Sequence, residues 1–184
     1  MRRVTSTATR AALATVLAVA PAIALADEPP VWRRHAIEVS PVAALVGIYG
    51  AQYAYALTPH DEVIGGAAYM NIHYDQGATH APTLVLGYRR TFWRGAHVEY
   101  LLMPGYDWFS SDPDGQTWRS FELWNEARLG YRFDFEAGST HLFVSAQWAL
   151  GFALYGGDKP RWFQVKVGRD PVFTAPFVFT GVAF

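Results

Sequence analysis

The sequence predicts an all-β chain, an eight-stranded antiparallel transmembrane β-barrel behind a cleaved N-terminal signal peptide. Three observations carry that expectation. In residues 119–134, Phe121, Leu123, Ala127, Leu129, Tyr131 and Phe133 share one parity, broken only by Asn125, while Glu122, Trp124, Glu126, Arg128, Arg132 and Asp134 share the other. Alternation of period two belongs to a strand, because a helix would mingle the two sets around its circumference. The stretch also reaches the roughly 9–11 residues that a tilted strand needs to cross a bilayer. The second observation is the leader: Arg2 and Arg3 precede an apolar run over 11–25, and Ala24-Leu25-Ala26 precedes Asp27-Glu28-Pro29-Pro30. A basic start, an apolar centre and small residues at a cleavage site make a secretory signal. The third is that no later apolar run is long and uniform enough for a membrane helix, although 51% of the chain is hydrophobic. The apolar residues are instead cut into about eight short segments by Gly, Pro, Asp and Asn, an even number as bacterial barrels require.

The leader is read as residues 1–26, followed by a short periplasmic segment, 27–35, and a barrel over 36–184. Pro21 interrupts the apolar run, which is shorter than the roughly 20 residues of an anchor helix. Cleavage after Ala26 removes Arg2, Arg3 and Arg10, leaving 12 of the 15 bases against 16 acids and a net charge of −4. That balance argues against a nucleic-acid partner, which calls for a basic face. Lys159 and Lys166 are the only lysines. The other bases are arginines, whose planar fork suits fixed carboxylate pairs. Cysteine is absent, so an exported chain of this kind relies on ladder hydrogen bonds and packing and has no thiolate chemistry.

Taken in order, the first segment is expected over 36–46 and the second over 49–57, joined tightly at Gly47 and Gly50. Thr58-Pro59-His60-Asp61-Glu62 is a turn, with Pro fixing φ. The third runs over 63–74, with Ile64, Met70, Ile72 and Tyr74 opposed to Tyr69, Asn71 and His73, and 75–82 is a polar loop. The fourth, 83–92, sets Leu84, Leu86, Tyr88 and Phe92 outward and Thr83, Gly87 and Arg89 inward. After the turn at 93–95, the fifth, 97–109, sets Val98, Tyr100, Leu102, Tyr106 and Trp108 outward and His97, Glu99, Met103 and Asp107 inward. Residues 110–117 form a loop, the sixth segment is 119–134, and 136–140 is a turn. The seventh, 142–155, turns Ser145, Gln147 and Gly151 inward, and 156–171 is the longest loop. The eighth, 172–184, is apolar on both parities, and Pro176 within it implies a bulge or an edge.

Outer-membrane barrels keep periplasmic turns short and outer loops long. The connections after segments two, four and six are the short ones, placing 58–62 and 93–95 in the periplasm and 110–117 and 156–171 outside. A soluble sandwich or lipocalin-like barrel is the alternative, with the aromatic faces buried against a second sheet or a ligand.

The leader, the alternating segments and the terminal Val182-Ala183-Phe184 resemble small eight-stranded outer-membrane barrels of the outer-membrane protein A or X type, over residues 36–184. The resemblance implies a monomer in the cell outer membrane, in contact with its lipid and lipopolysaccharide. It also implies that Phe184 acts as the C-terminal signal read by the outer-membrane assembly machinery.

Arg89, His97, Glu99, Asp107, Glu122, Glu126, Arg128 and Arg132 fall inward on consecutive segments. They read as a lumen ion network that fills the interior, because eight strands enclose room only for side chains or one small ligand. Glu99 is expected beside Arg89 and beside Arg128 or Arg132. The competing reading is a polar channel, or a site in which His97 works with Glu99 or Glu126 as an acid–base pair. His73, His80, His97 and His141 lack ligand spacing, so no metal or other cofactor is expected. Trp108, Phe109, Trp118, Trp162 and Phe163 read as an outer aromatic girdle or loop anchors. The expected function is a structural or surface-interaction role. The first alternative is a lipid-A-modifying enzyme and the second a narrow channel or small-ligand barrel. Deacylases among such enzymes carry His and Ser one residue apart with a Glu; here no His-x-Ser occurs, and His141 and Ser145, four apart, are read as facing opposite ways.

Overall fold

A computed structural model of the chain describes residues 33–113, 115–159 and 172–184. Eight antiparallel strands follow one another round a closed barrel. They are β1 (His35–Val39), β2 (Ile48–Ala56), β3 (Asp61–Tyr74), β4 (Gly77–Trp93), β5 (Ala96–Ser111), β6 (Thr117–Ala137), β7 (Thr140–Tyr155) and β8 (Val172–Ala183). A single short helix, α1 (Pro41–Leu45), interrupts the series among the described residues.

Alternation sets the two surfaces. On β4, Leu84, Leu86 and Tyr88 are exposed while Thr83, Val85 and Arg89 are buried; on β5, Val98, Tyr100 and Leu102 are exposed while His97, Glu99 and Leu101 are buried. The interior is therefore the more polar side, and the exterior carries a belt of large apolar groups. This inverts the usual order of a water-soluble sheet. Most of the buried hydrocarbon gathers in two small clusters: Ala36, Ala54, Ile64, Val85, Leu101, Phe143 and Ala183, and Ala43, Ala149, Phe177 and Phe179.

The ring closes between β1 and β8, from Ala36↔Ala183 to Val39↔Thr180. Phe184 continues that seam: its N–H donates to the His35 carbonyl at 2.8 Å, the His35 N–H donates to its carbonyl at 3.0 Å, and the two rings stack at 5.5 Å.

Several sequence expectations are corrected. The first segment does not run to Val46, because Ser40-Pro41 starts a helix. The Ser40 hydroxyl accepts the Ala43 N–H at 3.2 Å and Pro41 stands at the helix start, where its missing donor costs nothing. The polar loop expected over 75–82 is only Asp75 and Gln76, since β4 begins at Gly77 and pairs with Tyr74. The connections after β3, β5 and β7 are thus not uniformly the long ones. Pro176 makes no bulge: β8 pairs with β7 in unbroken register through Trp148↔Pro176. Phe184 shows which side the β8 donors face, because its N–H points to β1, and so do those of residues two, four, six and eight before it. At Pro176 the β1 ladder has already ended at Thr180, so the proline removes a donor where no strand waits for it. In the same half of the barrel the Ser40 hydroxyl donates to the Val178 carbonyl at 2.9 Å, replacing a missing ladder bond.

Candidate functional site

Register alone assembles the site. β3–β4 pairing sets Glu62 opposite Arg89, β4–β5 sets Arg89 opposite Glu99, and β5–β6 sets Glu99 opposite Arg128. Directly opposed residues share a face, so four ionised groups line up round the inner wall. Glu38 joins them from β1, across the lumen.

Arg89 is the hub. Its Nη2 lies 2.5 Å from Glu38 Oε1 and 2.8 Å from Glu99 Oε1, and its Nη1 lies 2.9 Å from Glu62 Oε2. Its Nε donates to Glu99 Oε1 at 2.9 Å. A planar guanidinium with five donors can serve three carboxylates at once, which an ammonium on a flexible stem could not do in fixed geometry. The side chains of Arg89, Glu38 and Glu99 are 2%, 0% and 0% exposed, so no water-sized gap touches them.

The two other arginines brace the hub. Arg128 holds Glu126 at 2.7 Å and faces Glu99 Oε2 at 3.5 Å, with its guanidinium 4.9 Å from the Phe179 ring centre and 5.7 Å from that of Phe177. Arg132 holds Asp134 at 2.8 Å, faces Glu62 at 3.7 Å and lies 3.8 Å over the Phe143 ring. These cation–π contacts give β8 its faces: Phe177 and Phe179 turn inward to meet arginine.

His97 is packed into the same layer. Its Nδ1 donates to the Gly95 carbonyl at 2.9 Å, which leaves Nε2 as an acceptor facing Gln147 Nε2 at 3.3 Å and Ser145 Oγ at 3.5 Å. Glu99 approaches that same nitrogen, at 3.7 Å. Gly130, opposite His97 on β6, makes the room: a Cβ there would come within 2.6 Å of the imidazole. Ser145, His97 and Glu99 therefore meet without forming a relay, because the carboxylate lies on the hydroxyl side of the ring and a backbone carbonyl takes the other nitrogen. Ser145 and His141 share a parity, contrary to the sequence reading. His141 lies at the end of β7, with Glu136 at 3.4 Å and Arg33 in contact, remote from Ser145 along the strand.

A second, smaller cluster lies toward the other end of the lumen. Lys159, just beyond β7, contacts Asp107 and lies 2.7 Å from Glu122, whose other oxygen accepts the Trp124 indole N–H at 3.0 Å. Burial pushes the Lys159 ammonium down to about 8, and the two carboxylates beside it oppose that pull. Its ammonium stands 5.4 Å from the Phe109 ring centre.

Of the residues expected in the lumen network, Arg89, His97, Glu99, Glu126 and Arg128 are buried together in one layer, Arg132 borders it, and Glu122 belongs with Asp107 to the second cluster. Glu38, Glu62 and Lys159 are absent from the sequence expectation, whereas Ser145 and Gln147 are expected inward, as found, without being joined to the network. Glu38 had a signal, a lone acid between Ile37 and Val39 on a short alternating stretch. Glu62 was assigned to a turn, yet β3 begins one residue before it. Among the aromatics, Phe109 is corrected from the girdle to the interior: it is fully buried, because it shares parity with the inward Asp107. Trp118, opposite Phe109, shares that inner face and is half-buried, while Trp108 has the outward parity and meets Tyr106 edge-on at 5.3 Å. Trp162 and Phe163 lie outside the described residues. Among the described residues no group of three or more His, Cys, Asp or Glu is arranged to hold a metal ion.

Comparisons with protein-family models, with curated proteins and with solved structures return no match for this chain.

Proposed function

We propose that this chain is a small outer-membrane barrel whose charged layer closes the lumen, and that its role is structural or surface-interacting. The observation that carries the reading is Arg89 locked to Glu38, Glu62 and Glu99 with almost no exposed surface. A conducting pore needs water beside its charges, and of these four only Glu62 keeps appreciable exposed surface, 17% of its side chain. The exposed belt of Leu84, Leu86, Tyr100, Leu102, Leu129 and Leu150 supports a hydrocarbon environment, since large apolar patches on a soluble monomer are rare. The signal peptide, cleavage after Ala26 and monomeric state belong to the same reading, as do contact with lipopolysaccharide and recognition of Phe184 during assembly. Purified protein in a planar bilayer tests the sealed lumen. Silent membranes are expected, and steady large-conductance openings would refute it.

The proximity of Ser145, His97 and Glu99 favours one second reading, lipid modification, and mass spectrometry of lipid A with and without the protein decides it. An acyl mass shift abolished by Ser145→Ala would establish that reading. No shift is the outcome expected for a structural barrel.

A further inference from the structure

The wall between β4 and β5 is the place where the ladder fails. Pairing is regular from Gly77↔Ser111 to His80↔Trp108 and again from Leu86↔Leu102 to Thr91↔His97, in the same register. Between them only Thr83↔Gly105 is paired; Ala81, Pro82, Leu84 and Val85 have no partner in β5. The direction of the donors explains it. Thr91 N–H bonds the His60 carbonyl on the β3 side, so the even-numbered residues before it on β4 point their nitrogens at β5. Ser111 N–H bonds the Gln116 carbonyl on the β6 side, so the even-numbered residues of β5 point theirs at β4. Pro82 and Pro104 both fall on these parities. Each of the two pairs that should flank Thr83 and Gly105, namely Pro82 with Tyr106 and Leu84 with Pro104, lacks a donor, and both gaps open into one seam.

A cavity of about 360 Å³ occupies that seam on the outer surface. Leu84, Tyr106 and Phe121 rim it, and Thr83 and Gly105 form its floor. The Thr83 hydroxyl is turned along its own strand to the Ala81 carbonyl at 3.3 Å. A Cβ on Gly105 would stand 2.8 Å from the Thr83 hydroxyl oxygen. The volume lies within the range of small-ligand sites, roughly 300–1,000 Å³.

We propose that this notch seats the hydrocarbon chain of one bilayer lipid, held more firmly than the other lipid around the barrel. The inference rests on the membrane reading above. The rim residues belong to the exposed apolar belt, so the cavity is continuous with the surface assigned to hydrocarbon. Within a bilayer, association is decided by packing more than by exclusion of water. A concave apolar slot gives a flexible chain contacts on several sides where a convex wall gives it one. Each proline that opens the slot also removes one N–H donor from it.

The full chain, refolded in phosphatidylcholine vesicles containing a phosphatidylcholine with a diazirine midway along one acyl chain, tests this. After illumination, peptide mass spectrometry maps the adducts. Adducts concentrated on Thr83, Leu84, Gly105 and Tyr106 relative to the exposed Leu129 and Leu150 are expected. In Ala67→Phe, which puts a ring into the notch, that excess should be lost. Pro82→Val with Pro104→Val, which restores both donors and closes the seam, should abolish the excess as well and serves if the first variant does not fold. Adducts spread evenly round the belt, or an excess undiminished in both variants, would overturn the lipid site while leaving the membrane reading intact. Adducts on no outward residue at all would overturn both.

Discussion

Replacing Arg89 with methionine keeps an unbranched stem as far as the position of Nε and removes the charge on which three carboxylates depend. Two of them retain other partners: Glu62 still faces Arg132 at 3.7 Å, and Glu99 keeps Gln147 at 2.7 Å and Arg128 at 3.5 Å. Glu38 keeps none among its ion pairs, and its side chain is fully buried. Stranding one buried charge costs about 3–5 kcal/mol, and the like-charged neighbours put Arg89→Met at the upper end of that range. With a urea slope of about 1–3 kcal/mol per molar, the unfolding midpoint should fall by roughly 2 M or more. The assay is urea unfolding of the barrel in lipid vesicles, followed by tryptophan fluorescence. Adding Glu38→Gln should recover part of the loss, because the stranded charge is then gone. Glu99→Ala should cost about 3 kcal/mol, since Arg89 keeps two acids, and Glu99→Gln less. The outward Leu102→Val should cost about 1 kcal/mol or less. If Arg89→Met unfolds within about 0.5 kcal/mol of wild type, or Glu38→Gln lowers the midpoint further in that background, the network does not hold the barrel together in the way described.

Three further outcomes are expected. Lys159 titrates at about 8 in the fold against an ordinary 10.5, so the unfolded chain holds its proton to higher pH. This group therefore adds stability as pH rises from 8 toward 10.5, and melting temperatures should climb across that window relative to Lys159→Met; parallel profiles for the two proteins would contradict it. In the β4–β5 turn, Arg94 sits at φ 41° and Gly95 at φ 96°. Arg94→Asn should raise stability by up to about 1 kcal/mol, whereas Gly95→Ala, whose Cβ would meet the Arg132 carbonyl, should lower it; equal urea midpoints for both variants would refute the turn argument. Finally, protein recovered from an outer-membrane fraction should have the mass of a chain beginning at Asp27, and retention of Met1 would remove the signal-peptide reading.

Strand number and the inward charges of β4 to β6 were legible because period-two alternation is a local property and consecutive strands are neighbours. That is why Arg89, Glu99 and Arg128 could be joined without coordinates. Glu38 could not be joined to Arg89, since 51 positions separate them and only ring closure brings β1 across from β4. Ser145 and His97 are both expected inward, but their contact is not legible for a similar reason: β5 and β7 are not adjacent, and the contact passes over Gly130 of β6. The two faces of β8 were unreadable because both are apolar, and what sorts them is the guanidinium of Arg128, which belongs to another strand. The start of α1 was readable in principle, as Ser-Pro is a common helix opening, but the alternation of β1 runs straight into it. The polar stretch 75–82 reads as a loop that includes Pro82, whereas the effect of this proline is to open a strand pair from within.

Strand lengths climb from five residues in β1 to 21 in β6, and β6 extends beyond the end of β7 from Leu123 to Thr117. At about 3.3 Å per residue those six extra positions amount to roughly 20 Å of chain. The wall is thus built as a ramp, with its crest at the hairpin of β5 and β6 and its low side at α1. A peptide epitope grafted into the connector between β5 and β6 would ride on that crest. The same graft beside α1 would sit low on the wall. For surface display, the choice of insertion point on this scaffold is a choice of altitude.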